Sequence, residues 1–361
     1  MSNSRINEVV TKVVNYINES NSFAYQEEFG KLALELYDLH REFNPVYAKY
    51  AKGPLTDWRE IPLMPISEFK KSDVGLVIGS QMPYPGVEFH SSGTTQGDKS
   101  KHRMYDTEAY RASIVRGLKT IVELDYAPQY RVVLLTPKLP HSSLYYMMQV
   151  VSDIYDPRGI REEFDGMLDP LRVRDLVEGL DEESEPVLIF GTSLAFYDLM
   201  ETIEKLELKN ITLPQGSLLI ETGGWKGRDI QIKPVELSSK VSNFFGVDSM
   251  DCLREYSMSE LSSQLWAWDY NNEETRYHAP YWMNYRLVDP LSQTVVPKGE
   301  SGIIAFVDLA NVWSCPFVLT EDMGHINISS SGILESLVLE GRAVNAPEKG
   351  CSLTYAQTVD N

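Results

Sequence analysis

Hydroxyls, glycines and lysines crowd into one stretch of the chain, Ser91-Ser92-Gly93-Thr94-Thr95-Gln96-Gly97-Asp98-Lys99-Ser100-Lys101, bracketed by His90 and His102. Those residue types at that density suit a phosphate. Glycines let the backbone approach a polyanion, backbone N–H groups converge on its oxygens, and Ser, Thr and Lys side chains add donors and charge. The same composition also makes a flexible Ser/Gly connector. A Walker loop is excluded, because that motif needs lysine directly after its second glycine and Asp98 separates Gly97 from Lys99. A second glycine cluster, Glu221-Thr222-Gly223-Gly224-Trp225-Lys226-Gly227, would let a flat ligand lie against bare backbone, or would form a tight turn. The three cysteines, Cys252, Cys315 and Cys351, are far apart and lack metal-ligand spacing, which fits thiols in a reducing cytoplasm.

The first stretch resembles the phosphate loop of adenylate-forming enzymes, the acyl- and aryl-activating ligases, whose pattern runs Ser/Thr-Ser-Gly-Thr-Thr-Gly. Gln96 replaces the next glycine of that pattern, and Gly97 comes one place late. The resemblance implies that Ser91, Ser92, Gly93, Thr94, Thr95 and Gly97 bind ATP, with Lys99 or Lys101 supplying charge to the reacting phosphates. It carries Gly223, Gly224 and Trp225 to the purine and acyl-pocket wall. Arg254-Glu255-Tyr256-Ser257-Met258-Ser259-Glu260 resembles the family's Tyr-Gly-x-Thr-Glu element, with Ser257 for Gly and Ser259 for Thr. It implies Tyr256 stacked on adenine, Ser257, Met258 and Ser259 beside the nucleotide, and Glu260 on Mg²⁺, a hard oxygen ligand for a hard cation. Thr320-Glu321-Asp322-Met323-Gly324 resembles the Thr-x-Asp-x-Gly element whose aspartate, here Asp322, accepts hydrogen bonds from both ribose hydroxyls. Glu340-Gly341-Arg342 resembles the Gly-Arg hinge, which places Arg342 near ribose or phosphate. His141 stands where these ligases often carry a histidine near the carboxylate pocket, and equally where a histidine would cap a helix starting at Ser142-Ser143. Singly, a tyrosine is ordinarily a half-buried aromatic and a glutamate a surface charge. Four motifs in family order carry more weight than any one of them.

Within that superfamily the likeness is greatest to the acyl-protein synthetases of bacterial bioluminescence. Ile61 to Lys71, with its two prolines and Phe69-Lys70, carries it, as do Glu221 to Lys226, Gly299-Glu300-Ser301-Gly302-Ile303-Ile304 and Gly350-Cys351-Ser352-Leu353. The resemblance implies ATP-dependent conversion of a carboxylic acid, fatty or related, to acyl-AMP, and transfer of the acyl group to a thiol. In these synthetases a cysteine near the C-terminus takes the acyl group and passes it to a reductase partner, a role that falls on Cys351. Transfer to coenzyme A or a carrier protein is the alternative, and a nucleotide-binding scaffold without turnover is a third reading. Only a short tail follows Arg342, so the resemblance implies the large N-terminal domain without the usual full C-terminal domain and its lysine, for which Lys349 is a candidate. Trp225, Phe190, Tyr197 and Trp266 are candidate walls of an acyl pocket, or ordinary core aromatics.

The rest of the chain must position these residues. Its 361 residues, 43% apolar and 24% charged, describe a globular protein able to bury a large core. A net charge of −19 argues against a nucleic-acid surface, which needs a basic footprint. Met1 to Ser20 lacks the apolar core of a signal peptide, and no window approaches a membrane span. Helical spacing of Val9, Val10, Val13, Val14 and Ile17 and a run from Tyr25 to Phe43 predict two N-terminal helices. Further helices are predicted over 107–124, 144–152, 194–206 and 234–244, alternating with strands over 131–136, 186–190 and 217–221. That alternation predicts an α/β fold with mainly parallel sheets flanked by helices. Short strands over 285–288, 302–307, 317–320 and 332–339 predict a β-rich subdomain. The organisation expected is an adenylation core over 1–280, the β-rich subdomain over 281–341, and a tail over 342–361 carrying Cys351. The acidic run Asp181 to Glu185 reads as a solvated loop.

Overall fold

A computed structural model describes residues 2–19, 25–77, 86–91, 99–122, 129–156, 159, 162–164, 169–208, 211–223, 232–268, 274–290, 292, 294–328 and 335–343. Helix α1 (Ser2–Asn18) buries Ile6, Val9, Val10, Val13 and Ile17 along one stripe, and α2 (Tyr25–Phe43) buries Leu32, Ala33, Leu36 and Tyr37 against the same core. Asn44 ends α2, its Oδ1 accepting from the Val46 and Tyr47 N–H groups. The two-proline segment is extended as predicted: β1 (Met64–Pro65) leads into one helical turn, α3 (Glu68–Lys71).

A six-stranded sheet forms the centre of the molecule. In spatial order it contains β5 (Glu162–Glu163), β4 (Arg131–Leu135), β6 (Val187–Thr192), β7 (Leu218–Thr222), β8 (Cys252–Tyr256) and β9 (Leu265–Trp268). All neighbours are parallel except β8 and β9. The inner strands read as continuous apolar runs because both faces are covered. Val132, Leu134, Leu188, Phe190 and Ile220 pack with α1, α4 (Glu108–Val122) and α5 (Ser143–Tyr155). Val133, Leu135, Ile189 and Leu219 pack with α6 (Pro170–Asp181), α7 (Ser193–Lys205) and α8 (Pro234–Phe245).

Helix α6 went unread in the sequence, although its start is written there: Asp169 caps it by accepting from the Leu171 N–H, and Pro170 occupies the first turn. Strand β8 was missed for a different reason. Its Arg254 and Glu255 look like surface residues but are 4% and 3% exposed. The acidic loop is solvated except at Glu183, whose carboxylate lies 3.6 Å from Arg131.

In the second sheet, the long strand β12 (Phe317–Ile328) lies between β11 (Gly302–Asp308) and β1, and its second half pairs with β13 (Glu335–Arg342); β10 (Met283–Val288) lies beyond β11. This sheet is therefore not built from the last third alone, since Met64–Pro65 adds a parallel strand. The strand expected over 317–320 continues to Ile328 because a register shift at Met323/Gly324 absorbs the apparent turn. Glycine is required there: a Cβ on Gly324 would sit 2.4 Å from the Val338 carbonyl oxygen. A hairpin of β2 (Val87–His90) and β3 (Lys101–Met104) carries the predicted phosphate loop. Among the described residues no helix is long and apolar enough to cross a membrane.

Candidate active site

A cavity of about 510 Å³ opens where the parallel strands end, between the two sheets. Thr136, Thr192 and Thr222 line it from the C-terminal ends of β4, β6 and β7, and Tyr256 to Glu260 from the end of β8. Crevices at these ends are the usual ligand sites of open α/β sheets, because connections leaving adjacent strands diverge there. The second sheet supplies Thr320, Glu321, Asp322, Gly341 and Arg342 to the opposite wall.

Asp322 is the junction of the two sheets. Its backbone N–H donates to the Thr320 hydroxyl at 3.0 Å, and that hydroxyl donates to the Ile304 carbonyl at 2.7 Å. Tyr256 donates its phenol to Asp322 Oδ2 at 2.8 Å, and Arg342 Nε donates to Oδ1 at 3.1 Å. Arg342 also pairs with Glu321 at 2.7 Å. The arginine reaches both because Asp322 and Arg342 are register partners across β12 and β13, and because Gly341 takes φ +117°, which a side chain would strain. Burial and the neighbouring Asp322 carboxylate push the Tyr256 phenol pKa well up, so the ring stays neutral. A carboxylate has about four lone-pair sites, so Asp322 retains acceptor capacity toward two ribose hydroxyls.

Beneath Tyr256 to Glu260 lies a buried polar scaffold. His102 Nδ1 is 2.6 Å from the Ser259 carbonyl, and its Nε2 is 2.9 Å from Asn311 Oδ1. Asn311 donates to the Glu260 carbonyl at 2.9 Å, and Asp308 accepts from Ser262 N and Ser263 Oγ. Burial pushes the His102 pKa down to about 4 and that of Asp308 up to about 6. His102 sits on β3, so one side chain ties the hairpin of the phosphate loop to the segment carrying Glu260. The sequence motif shows none of this, because the scaffold is assembled from three distant segments.

The hairpin neck is closed by Ser91, whose Oγ and N–H both bond the Ser100 backbone, at 2.9 and 3.0 Å. Ser91 and Lys99 line the cavity and Lys101 does not, so Lys99 is the lysine in position. Ser92, Gly93, Thr94, Thr95 and Gly97 lie outside the described residues, as do Gly224, Trp225, Lys349 and Cys351. Gly223 lines the cavity at the end of β7. Behind it, Glu221 forms a buried ion pair with Arg254 and accepts from Ser193, while Arg254 also bonds the Pro234 carbonyl at 2.9 Å. This pair joins β7, β8 and the start of α8.

His141 is at the cavity wall. Its ring stacks on His90 with centroids 4.9 Å apart, and its Nδ1 lies 3.1 Å from the Glu88 carbonyl oxygen. The helix cap is Ser142, which accepts from Tyr145 N at 3.2 Å, so the capping role does not belong to His141. His90 bonds Glu88 at 2.7 Å; although burial opposes it, the bonds from His90 and Arg103 hold the Glu88 carboxyl below its usual range. Ser257 and Met258 line the cavity beside Tyr256. Phe190 and Trp266 do not: both are fully buried in the core, and Tyr197, on α7, does not line the cavity either.

Two cysteines are buried, and burial pushes the Cys315 thiol up to about 12. Glu255 is a cavity residue that motif reading passed over. It is 3% exposed, Thr222 donates to its Oε2 at 2.6 Å, and burial pushes its carboxyl up to about 7. A carboxylate set beside an aromatic at a strand end was the available signal.

The family model for the acyl-protein synthetase LuxE matches residues 29–360. A long-chain-fatty-acid--luciferin-component ligase of Aliivibrio fischeri is 23% identical over 357 residues, covering 94% of this chain and 90% of its own length. The ligase of the same name from Vibrio harveyi is 25% identical over 143 residues, 38% of this chain and 36% of its own length. A crystal structure of a 2-hydroxyisobutyryl-CoA ligase in an open conformation, with 2-HIB-AMP and CoA, superposes with a TM-score of 0.65 at 13% identity, over 92% of this chain and 81% of that one. That likeness bears on the fold, which is the large N-terminal domain of an adenylate-forming ligase. The chain belongs to the LuxE acyl-protein synthetase family.

Proposed function

We propose that this chain uses ATP to activate a long-chain fatty or related carboxylic acid as acyl-AMP, and then passes the acyl group to the thiol of Cys351. The observation that carries the reading is one cavity that gathers Lys99, Gly223, Tyr256 to Glu260, Asp322 and Arg342 from both sheets. The acid class comes from the name of the Aliivibrio fischeri relative. In the first step a carboxylate oxygen of the acid bonds to the α-phosphorus and pyrophosphate leaves. Charge stays on phosphate oxygens throughout, so positioning and electrostatics suffice. Lys99 faces those oxygens, Asp322 and Arg342 hold the ribose end, Tyr256 lies against the purine, and His141, locked by its stack on His90, orients the acid.

Mg²⁺ fits the donor set. Such a cation is commonly bound by one or two carboxylates together with substrate phosphates and water, and Glu260, a buried carboxylate on the cavity wall, would hold it. There it would neutralise phosphate charge, while His102 and Asn311 fix the backbone that carries Glu260. In the second step the Cys351 thiolate attacks the acyl carbonyl and AMP departs with the electron pair of the broken C–O bond. Coenzyme A or a carrier protein thiol would take the acyl group from the same acyl-adenylate, expelling AMP, if Cys351 did not, and an acyl-reductase would receive the acyl group from the Cys351 thioester.

Acid-dependent exchange of labelled pyrophosphate into ATP tests the first step. For the second, incubation with ATP, Mg²⁺ and acid should add an acyl mass to Cys351 that hydroxylamine removes, and Cys351→Ser should lose it. Exchange without that added mass would transfer the acceptor role to coenzyme A or a carrier.

A further inference from the structure

His141 is held by strand β2 and not by the helix it precedes. Its carbonyl accepts from the His90 N–H at 2.8 Å, its ring Nδ1 lies 3.1 Å from the Glu88 carbonyl oxygen, and the His90 ring stacks on it. A carbonyl oxygen can only accept, so Nδ1 carries the hydrogen and the neutral ring keeps its lone pair on Nε2. Nε2 lies on the ring edge away from Nδ1 and therefore turns away from β2, on a residue that is exposed and lines the cavity. Among the described residues the fold bonds only Nδ1 of this ring. The other proton acceptors of the wall are engaged: Asp322 and Glu321 with Arg342, His90 with the Glu88 carboxylate, and Glu255 with Thr222. Glu260 is given to the cation in the proposed function. A histidine oriented through one nitrogen, with the other open to the cavity, is the arrangement that activates a nucleophile.

We infer that His141 Nε2 is the base that takes the proton of the acceptor thiol in the second step. The inference rests on the acyl-transfer reading above and assigns that step its base. A thiol attacks as the thiolate, so its proton needs an acceptor at the site. The S–H proton passes to Nε2, the sulfur lone pair forms the C–S bond at the acyl carbonyl, and the C–O bond breaks with its electron pair leaving on the AMP phosphate. The imidazolium then returns its proton to water. Glu88 supports the charged ring, because its carbonyl keeps the Nδ1–H bond while its carboxylate, paired with Arg103 and His90, lies on the same strand; Arg103 in turn reaches Asp73. A lone pair on Nε2 does not attract a carboxylate, so in the first step the ring acts on the acid by packing.

The experiment starts from preformed dodecanoyl-AMP, which bypasses the first step. The full chain is mixed with it in single turnover, alone and with coenzyme A, and AMP release, acyl mass on Cys351 and acyl-coenzyme A are followed. His141 is exposed, so its variants should fold, which thermal unfolding checks. His141→Ala should slow transfer by on the order of 100- to 10,000-fold, and added imidazole should restore part of the loss. His141→Asn keeps a donor for the Glu88 carbonyl but carries no base, so it should be as slow as His141→Ala and unmoved by imidazole. A His141→Asn protein that transfers as fast as wild type would show that anchoring to β2 is the whole role, and overturns the inference. So does a slow His141→Ala protein that imidazole does not speed. A wild type that makes acyl-AMP from ATP yet passes the acyl group to neither thiol overturns the transfer reading and the inference together. Transfer from dodecanoyl-AMP that requires His141, in a chain that exchanges no pyrophosphate into ATP, overturns the adenylation reading alone.

Discussion

Replacing Asp322 with asparagine should separate nucleotide recognition from fold. In the folded chain its carboxylate accepts from Tyr256 at 2.8 Å and from Arg342 at 3.1 Å, and the side chain is 23% exposed. Asparagine keeps the shape and one oxygen, so one of those two donors meets an amide N–H instead. The loss of one partly exposed charge-assisted bond costs about 1–2 kcal/mol, a fall in melting temperature of about 1–3 °C for a chain of this size. The effect on ATP should be larger, since the remaining lone pairs are proposed to hold ribose. Losing charged hydrogen bonds there weakens binding by about 1.5–3 kcal/mol, or roughly 10- to 150-fold in Kd. Calorimetric titration of wild type and Asp322→Asn with ATP and with 2′,3′-dideoxy-ATP closes a double cycle, which isolates the ribose interaction from the fold change. Wild type should prefer ATP strongly, and the variant should bind both nucleotides about equally. A folded Asp322→Asn protein that still prefers ATP as wild type does would refute the ribose assignment.

Glu260→Gln should keep the fold and lose most pyrophosphate release, because the amide preserves shape but removes the charge a divalent cation needs; normal release would take Tyr256 to Glu260 out of the reaction. Gly341→Ala meets no steric obstacle but must hold φ near +117°, so it should cost about 1–3 kcal/mol and displace Arg342, raising the KM for ATP. An unchanged melting temperature and KM would show that Arg342 is placed by other means. Glu255 titrates at about 7 in the folded chain against 4.5 unfolded, so between those values the native state keeps a proton that the unfolded chain has released. Stability contributed by the protonated form is therefore complete below pH 4.5 and lost as pH rises through 7, by about 3 kcal/mol. Urea unfolding of Glu255→Gln across that window should show the variant gaining on wild type by that order, and parallel curves would place the carboxyl elsewhere.

Much of this protein could be read from local pattern. Period and punctuation along the chain marked the parallel strands Arg131–Leu135 and Leu218–Thr222 and the helices Ser143–Tyr155 and Ser193–Lys205 within a few residues, the strands because those buried on both faces must be continuously apolar. The order of small motifs marked Tyr256, Asp322 and Arg342 as members of one site. What local pattern could not hold was which charges turn inward. Arg254 and Glu255 look exposed in sequence and are buried because β8 is an inner strand with Glu221 and Thr222 beside it. The joining of Lys99 to the site and not Lys101 depends on where the hairpin meets the cavity, Lys99 lying at its neck and Lys101 within β3, and the support of Glu260 depends on His102 and Asn311 arriving from distant segments. A residue's type is a local property, whereas its desolvation and its partners exist only once non-neighbouring strands have packed, and those two quantities decide its chemistry.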